Sequence, residues 1–180
     1  MVTIVNVVAS GSLPLELDLN RLAIDIGEPL TEYDPEKYPG MYLRFDEDAP
    51  PITVYRTGKY IITGAESEEE SKTLRGEFLA LLSEMGVIAE PDDEWFSIQN
   101  YVCTGEIGST QNLSALAIGL GLENTEYEPE QFPGLIYRPV SGDCVALIFA
   151  TGKVVITGAR DLQTAETSFE ELRHRLSDFV

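Results

Sequence analysis

The sequence spells the same unusual phrase twice. EYDPEKYPGMYLR runs from Glu32 to Arg44, and EYEPEQFPGLIYR runs from Glu126 to Arg138. Each copy places an aromatic residue directly before Pro-Gly, a combination that neither helix nor strand propensity requires. Self-similarity at a fixed spacing is the signature of a repeated structural unit. The chain is therefore expected to contain two copies of one fold.

The offset of 94 residues between the copies holds without a gap across most of each half. It aligns Asn6 with Asn100 and Leu19 with Leu113, and TGK recurs at 57–59 and 151–153. We therefore predict a first repeat over 1–90 and a second repeat over 91–180, which together form one continuous domain.

Each half predicts the element order strand, short helix, four more strands and a long helix. Asp18 is a favourable helix N-cap and Gly27 a helix stop, and apolar residues form one stripe of the long helix. Tight turns such as RTGK predict an antiparallel sheet of about five strands per repeat, with two helices covering one face. The fold class is thus α+β. The predicted segments are 3–10, 18–26, 31–38, 40–46, 51–56, 59–65 and 67–85, then 98–105, 112–120, 125–131, 133–140, 144–150, 153–159 and 161–178.

The net charge of −19, from 31 acidic and 12 basic residues, leaves two interpretations open. It argues against nucleic acid, because proteins that read nucleic acid usually carry a basic stripe. It also fits a protein that stays soluble in molar salt by covering itself with carboxylates. The acids are clustered at 46–48, 66–71 and 90–94, whereas the strand-like runs 3–11, 60–65, 98–105 and 144–153 contain none. One surface is therefore predicted to be free of negative charge.

Other classes of function find little support in the sequence. No apolar run approaches the roughly 20 residues of a membrane span, and Met1 leads directly into a strand-like segment, so a cytoplasmic protein without a membrane partner is expected. Cys103 and Cys144 lack metal-site spacing and are predicted to be buried thiols. His174, the only histidine, is predicted to be solvated. We expect no metal, no cofactor and no enzymatic activity.

The predicted open face of the sheet carries few charges. Period-two alternation places Asn6 with Val8, and Ile61 with Thr63, on one side of their strands. The second repeat matches them with Asn100, Val102, Val155 and Thr157. A floor of Val, Ile and Thr with one central amide per repeat suits a binding surface better than it suits catalysis.

The runs IVNVVAS, IQNYV, EYEPEQFPGLIYR and ALIFATGKVVITGA, with the duplication, closely resemble the TATA-binding proteins of archaea over nearly the whole chain. The resemblance implies a pseudo-twofold saddle, a curved sheet with its helices on the convex face, that binds and bends A/T-rich promoter DNA through the minor groove. It also implies recruitment of transcription factor B and, indirectly, of RNA polymerase. The acidic surface then indicates a protein from a halophile.

The resemblance assigns roles to individual residues. Asn6 and Asn100 donate to base acceptors, with Thr63 and Thr157 beside them, while apolar groups pack on sugars and base edges at Val8, Ile61, Val102, Leu147 and Val155. Aromatic wedges are implied at Tyr38, Tyr55, Phe132 and Phe149, where the family has phenylalanine at all four positions. Cationic contacts to phosphates or to the rim are implied at Arg44, Arg56, Lys59, Arg138, Lys153 and Arg160, whereas Glu66 stands where lysine is usual. Contacts to transcription factor B are implied at Glu128, Glu130 and Gln131.

Two rival functions remain open. Tyr38, Tyr55 and Glu66 also fit a divergent paralogue that acts mainly as a protein-interaction module with weak or altered DNA specificity. A curved sheet under helices also suits a carrier of an apolar ligand, although a ligand rarely requires twofold-matched amides. In the absence of DNA, a homodimer through the concave face is a further expectation.

Overall fold

The structure, a computed structural model, describes residues 1–90, 96–140 and 142–179. The chain forms two compact units. We call Asn6–Gln99 the first unit, whereas the second unit joins Met1–Val5 to the chain from Asn100 onward. Both boundaries fall within long strands, and each of these strands is described with the unit that holds most of it. Most of the acidic run at 90–94 lies outside the described residues.

The first unit contains an antiparallel sheet with the strand order β2-β3-β4-β5-β1. Two helices accompany it, as the sequence predicts. The elements are β1 (Thr3–Ser12), α1 (Leu19–Ile26), β2 (Thr31–Glu32), β3 (Met41–Leu43), β4 (Ile52–Val54), β5 (Lys59–Ala65) and α2 (Glu68–Glu84).

The second unit repeats this plan with the strand order β6-β10-β9-β8-β7. A short 3-10 helix at Leu122–Asn124, which the sequence analysis did not predict, precedes β7. The elements are β6 (Phe96–Glu106), α3 (Leu113–Leu120), β7 (Thr125–Glu126), β8 (Leu135–Tyr137), β9 (Val145–Ile148), β10 (Lys153–Ala159) and α4 (Leu162–Ser177).

The short helices begin at polar caps. The Asp18 carboxylate accepts a hydrogen bond from the backbone N–H of Arg21 at 3.1 Å, which confirms the predicted cap of α1. Asn112 accepts from the N–H of Ala115 at 3.0 Å and caps α3 in the same way. Each cap satisfies a helical N–H group that has no partner within the helix. The predicted stop of α1 at Gly27 is also observed.

One face of each sheet packs on the helices of its own unit. In the first unit, Ile62 of β5 and Phe78 and Leu82 of α2 are fully buried in one core. In the second unit, Ile156 of β10 and Phe169 of α4 are equally inaccessible. Burying one such side chain stabilises the fold by about 1.5–3 kcal/mol. This packing occupies one face of each sheet and leaves the opposite face for other contacts.

Several predicted strands are longer than the observed ones. The segments 31–38 and 125–131 contain strands of only two residues each. In the first copy the N–H groups of Lys37 and Tyr38 donate to the carbonyl of Asp34, and the second copy has the same turn. Pro35 and Pro39 lack the N–H that a strand ladder needs, so the phrase turns instead of extending. The strands β3, β4, β8 and β9 are also shorter than their predicted segments.

Both cysteines are free and buried, as predicted. Burial raises the pKa of the Cys103 thiol above its ordinary value, with smaller contributions from Cys144 and Glu166. In the described part of the chain, no group of three His, Cys, Asp or Glu side chains is arranged to hold a metal ion. No helix among these same residues is long and apolar enough to cross a membrane.

Candidate nucleic-acid interface

Each sheet has a face that its helices leave uncovered, which we call the open face. On β5, Ile61 and Thr63 are half-exposed beside buried Tyr60 and Ile62. Val8 of β1 is half-exposed in the same alternation. The matching residues of the second unit are likewise half-exposed: Val102, Leu147, Val155 and Thr157. The structure therefore brings the predicted apolar and threonine side chains together on one open face per unit.

A β-bulge in each unit holds an asparagine side chain. The pairing of β1 with β5 shifts register, and the pairing of β6 with β10 shifts at the matching place. The bulge frees a backbone N–H of Gly64, which donates to Oδ1 of Asn6 at 2.6 Å. The N–H of Gly158 donates to Oδ1 of Asn100 at 2.7 Å. Both glycines have positive φ, 93° and 97°, a conformation that other residues rarely adopt.

These hydrogen bonds fix which way each amide points. A backbone N–H can only donate, so the amide oxygen must lie toward the glycine and the Nδ2 group toward the threonine. Nδ2 of Asn100 donates to Oγ1 of Thr157 at 3.0 Å, and Nδ2 of Asn6 lies 3.5 Å from Oγ1 of Thr63. One hydrogen of each Nδ2 group remains for a ligand. Each open face therefore presents one oriented amide donor beside a hydroxyl.

The aromatic residue before Pro-Gly pairs with a second aromatic residue that follows the next strand. The rings of Phe132 and Phe149 lie 5.9 Å apart with an interplanar angle of 68°. The rings of Tyr38 and Tyr55 lie 6.2 Å apart at 61°. Edge-to-face pairs of this kind are favourable beyond the area they bury. All four predicted wedge residues are thus found in two matching pairs.

The glycine of each Pro-Gly phrase makes room for its aromatic pair. A Cβ atom on Gly134 would lie 2.8 Å from Cε1 of Phe132 and 3.1 Å from Cε1 of Phe149. A Cβ atom on Gly40 would meet Tyr38 at 2.8 Å. Real Cβ atoms almost never come this close, so any larger residue would displace the rings. The repeated phrase is therefore a structural device that seats two aromatic rings at the surface.

The aromatic pair of the first unit carries hydroxyl groups that form a hydrogen bond with each other. The Oη atoms of Tyr38 and Tyr55 lie 2.5 Å apart. The Tyr38 ring also stacks on Tyr42 at 5.5 Å with an interplanar angle of 8°. The hydrogen bond with Tyr38, together with burial, raises the pKa of Tyr55 to about 12. The Tyr55 hydroxyl therefore keeps its proton at any physiological pH.

Four exposed cationic side chains lie beside the strands of the open faces. Lys59 and Lys153 are the first residues of β5 and β10, and Arg44 and Arg138 directly follow β3 and β8. Within the described chain, none of the four has an ion-pair partner. Their charges are thus available to an anionic ligand. By contrast, Arg56 pairs with Glu16 at 3.4 Å.

The turn of the second phrase exposes three polar side chains, Glu128, Glu130 and Gln131. The matching turn of the first unit has Lys37 in place of Gln131, and Lys37 pairs with Asp34 at 3.1 Å. Among the described residues, neither Glu128 nor Glu130 forms an ion pair. The turn of the second unit therefore offers two uncompensated carboxylates, whereas the turn of the first unit partly neutralises its own.

The structure adds residues that the sequence analysis missed. The N–H groups of Gly64 and Gly158 orient the central amides. Tyr42 supports Tyr38 by stacking, and its counterpart in the second unit is Ile136. Thr53 stands where the second unit has Leu147 and is only 6% exposed. The recurring ITGA was a signal for the glycines, whereas nothing in the sequence pointed to the stacking of Tyr42.

The fold and the site together define a duplicated α+β protein. Each unit carries an uncharged open face, an amide held by a bulge and a glycine-seated aromatic pair. The sequence matches the family described as transcription factor TFIID, or TATA-binding protein, over residues 1–85 and again over 95–179. The chain belongs to the TATA-binding protein family.

Curated relatives and a solved structure agree with this assignment. The chain is 50% identical to TATA-box-binding protein C of Halobacterium salinarum, covering 99% of both chains. It is 43% identical to the TATA-box-binding protein of Haloarcula marismortui, covering 98% of this chain and 94% of the relative. The Methanococcus jannaschii TBP structure superimposes with a TM-score of 0.82 at 38% identity, covering 98% of each chain. This likeness confirms the predicted fold class.

Proposed function

We propose that the chain is a general transcription initiation factor that binds A/T-rich promoter DNA through the minor groove. The observation that carries this proposal is the pair of oriented amide donors, one on each open face. The minor groove of A·T pairs presents only acceptors, adenine N3 and thymine O2. Guanine adds an N2 amino group, which is a donor and conflicts with an amide donor. Asn6 and Asn100 therefore favour A·T pairs at the centre of the site.

The aromatic pairs supply the bending. Inserting a flat ring between base pairs costs a few kcal/mol of stacking, which is offset when the bent DNA contacts more protein surface. Phe132 and Phe149 are held over Gly134 at the surface and need no rearrangement of the core to reach a base step. Tyr38 and Tyr55 have the matching position in the first unit. Val8, Ile61, Val102, Leu147 and Val155 pack on the sugars and base edges between them.

Few cations face the phosphates, which suits binding in concentrated salt. If Arg44, Lys59, Arg138 and Lys153 each neutralise one phosphate, the slope of log K against log salt is about −3.6. The net charge of −19 repels DNA at low ionic strength, and added salt screens that repulsion. The two effects oppose each other, so affinity is expected to fall with added salt less steeply than this slope alone implies. The relatives from halophilic archaea support this halophilic assignment.

The exposed turn of the second unit is the proposed contact for transcription factor B, through which RNA polymerase is recruited. Glu128 and Glu130 form no ion pair with the described residues, so a basic partner surface fits the turn. The double variant Glu128→Gln with Glu130→Gln is expected to abolish the complex of protein, DNA and transcription factor B while leaving binary DNA binding intact. The matched control in the first unit, Asp34→Asn with Glu36→Gln, is expected to keep the complex. Equal losses in both variants would contradict the assignment.

Repeats over 1–90 and 91–180 act as the two halves of one DNA-binding domain. The protein is a cytoplasmic, non-enzymatic factor that needs no cofactor, and without DNA its apolar open faces favour a homodimer.

The proposal is tested by competition between duplexes. Fluorescence anisotropy in molar KCl compares an A/T-rich duplex with one that carries G·C pairs only at its centre. Each wrong base pair is expected to weaken binding by about 1–3 kcal/mol. Equal affinity for the two duplexes would contradict minor-groove readout by the amides.

A second candidate function is a divergent paralogue that engages mainly proteins. The exposed acid at Glu66 favours it, because a carboxylate repels a phosphate, and the hydroxyls of Tyr38 and Tyr55 favour it if they find no partner between the bases. Retention of transcription factor B without any A/T-selective DNA binding, at every salt concentration, would favour this second candidate.

A further inference from the structure

The two aromatic pairs have the same geometry and different chemistry. Ring separations of 6.2 and 5.9 Å and angles of 61° and 68° show that the rings take matching positions. The second unit offers two phenyl rings, whereas the first unit offers two phenols whose oxygens lie 2.5 Å apart. The rings of the two aromatic pairs therefore match in position but differ in their ability to form hydrogen bonds.

The phenol pair retains hydrogen-bonding capacity after the internal bond is made. A hydroxyl has one hydrogen and two lone pairs, so the two phenols together have two hydrogens and four lone pairs, of which the internal bond uses one of each. One hydrogen and several lone pairs remain. Tyr38 is 37% exposed, so a ligand can reach them. Stacking on Tyr42 keeps the Tyr38 ring in place, so the pair is presented in a fixed position.

This remaining capacity matches both kinds of base pair in the minor groove. Adenine N3 and thymine O2 accept from a hydroxyl hydrogen, and the N2 amino group of guanine donates to a hydroxyl lone pair. A phenyl pair offers neither partner. A guanine amino group covered by phenyl rings loses its water without compensation, and an unsatisfied buried donor is costly. Phenol and phenyl pairs therefore discriminate differently against G·C.

We propose that Tyr38 and Tyr55 make the first unit tolerant of a G·C pair at the base step it contacts, whereas Phe132 and Phe149 restrict the second unit to A·T pairs. The inference rests on the proposed minor-groove function and deepens it. Its consequence is an asymmetric target, A/T-rich with one tolerant step. A single G·C pair at such a step then fixes the orientation in which the protein binds.

The test uses three duplexes built on one palindromic sequence that differ only at the two unstacked steps, which are first located by 2-aminopurine fluorescence. The duplexes carry a G·C pair at neither, one or both steps, and affinity is measured by anisotropy in molar KCl. A palindrome lets the protein choose its orientation. The protein can therefore bind with its first unit at the single G·C pair, which is expected to weaken binding by at most about three-fold. The second G·C pair is expected to weaken it by about 5- to 150-fold, the usual effect of a wrong base pair.

Two matched variants separate the hydroxyls from the rings. Tyr38→Phe with Tyr55→Phe removes two oxygens, and the first G·C pair is then expected to weaken binding as much as the second. Phe132→Tyr with Phe149→Tyr adds two oxygens, and each G·C pair in the duplex is then expected to weaken binding only mildly. The inference is overturned, and the proposed function is left standing, if the first and the second G·C pair weaken binding of the wild-type protein equally. The same holds if Tyr38→Phe with Tyr55→Phe leaves the wild-type pattern of affinities unchanged. Absence of any preference for the unsubstituted duplex would overturn the proposed function as well.

Discussion

The substitution Asn100→Asp separates DNA recognition from folding. An aspartate has nearly the same shape, and one carboxylate oxygen still accepts from the Gly158 N–H that holds Asn100 at 2.7 Å. Thr157, now 3.0 Å from Nδ2, turns its hydroxyl to donate to the other oxygen. The free energy of unfolding is therefore expected to change by less than about 1 kcal/mol, as measured by denaturant titration.

DNA binding is expected to respond strongly to the same change. The donor that faces adenine N3 or thymine O2 becomes a charged acceptor, so an attractive contact turns into a repulsive one. The loss of one base contact corresponds to about 1–3 kcal/mol, and the repulsion adds to it. Affinity for an A/T-rich duplex is expected to fall by about 10- to 150-fold in an anisotropy titration. Asn6→Asp is expected to have a comparable effect because the geometry of its bulge matches.

The control places the same charge away from the open face. Asn112 caps α3 by accepting from the Ala115 N–H, and aspartate is an equally good cap. Asn112→Asp is therefore expected to bind DNA as the wild type does. Normal DNA binding by Asn100→Asp at unchanged stability would show that this amide does not contact a base. An equal loss of affinity in Asn112→Asp would show that net charge alone explains the effect.

Four other perturbations follow from the structure. Gly134→Ala inserts a methyl group under two rings and is expected to reduce DNA bending, with a loss of folding free energy of about 1–3 kcal/mol at most. If bending measured by energy transfer is unchanged, Gly134 is not needed to make room for the rings. Tyr55 keeps its proton in the folded state up to a pKa of about 12, so its stabilising contribution is complete below its ordinary value of 10.0 and is lost as pH rises from 10.0 toward about 12. Ultraviolet difference titration is expected to show this pKa fall in Tyr38→Phe, and no fall would argue against the hydroxyl bond. Lys153→Ala is expected to reduce the slope of log K against log salt by about 0.9, and an unchanged slope would remove this residue from the phosphate contacts. Repulsion among carboxylates is expected to loosen the fold in dilute salt, and circular dichroism that stays constant from dilute to molar KCl would contradict the halophilic interpretation.

The element order was predictable because it depends on local patterns. Alternation along β1 and β5, the Asp18 cap and the stop at Gly27 are all consequences of neighbouring residues. The duplication then doubled each signal, since the same pattern occurs 94 residues later. The phrase after Tyr33 was harder to predict, because its alternating side chains resemble a strand while its prolines and turn hydrogen bonds prevent one.

The details of the site depend on contacts between distant segments. The bulge arises where two strands pair out of register, so the bond from Gly64 to Asn6 spans 58 residues of sequence. The role of Gly40 likewise becomes clear only when Tyr38 and Tyr55 come together above it. Sequence alone indicated which residue types mark the site, and the structure supplied the reason that each one is needed.

DNA binding and DNA bending by this protein can be measured together. A duplex with an A/T-rich centre carries a donor and an acceptor dye at its ends, and energy transfer is followed from dilute to molar KCl. We expect selective binding and bending that persist in molar salt, and that diminish in Phe132→Ala with Phe149→Ala. Phe179→Ala, which removes an exposed aromatic ring from the C-terminal end, serves as the control and is expected to bend DNA normally. Absence of A/T-selective binding and bending at every KCl concentration would contradict the account.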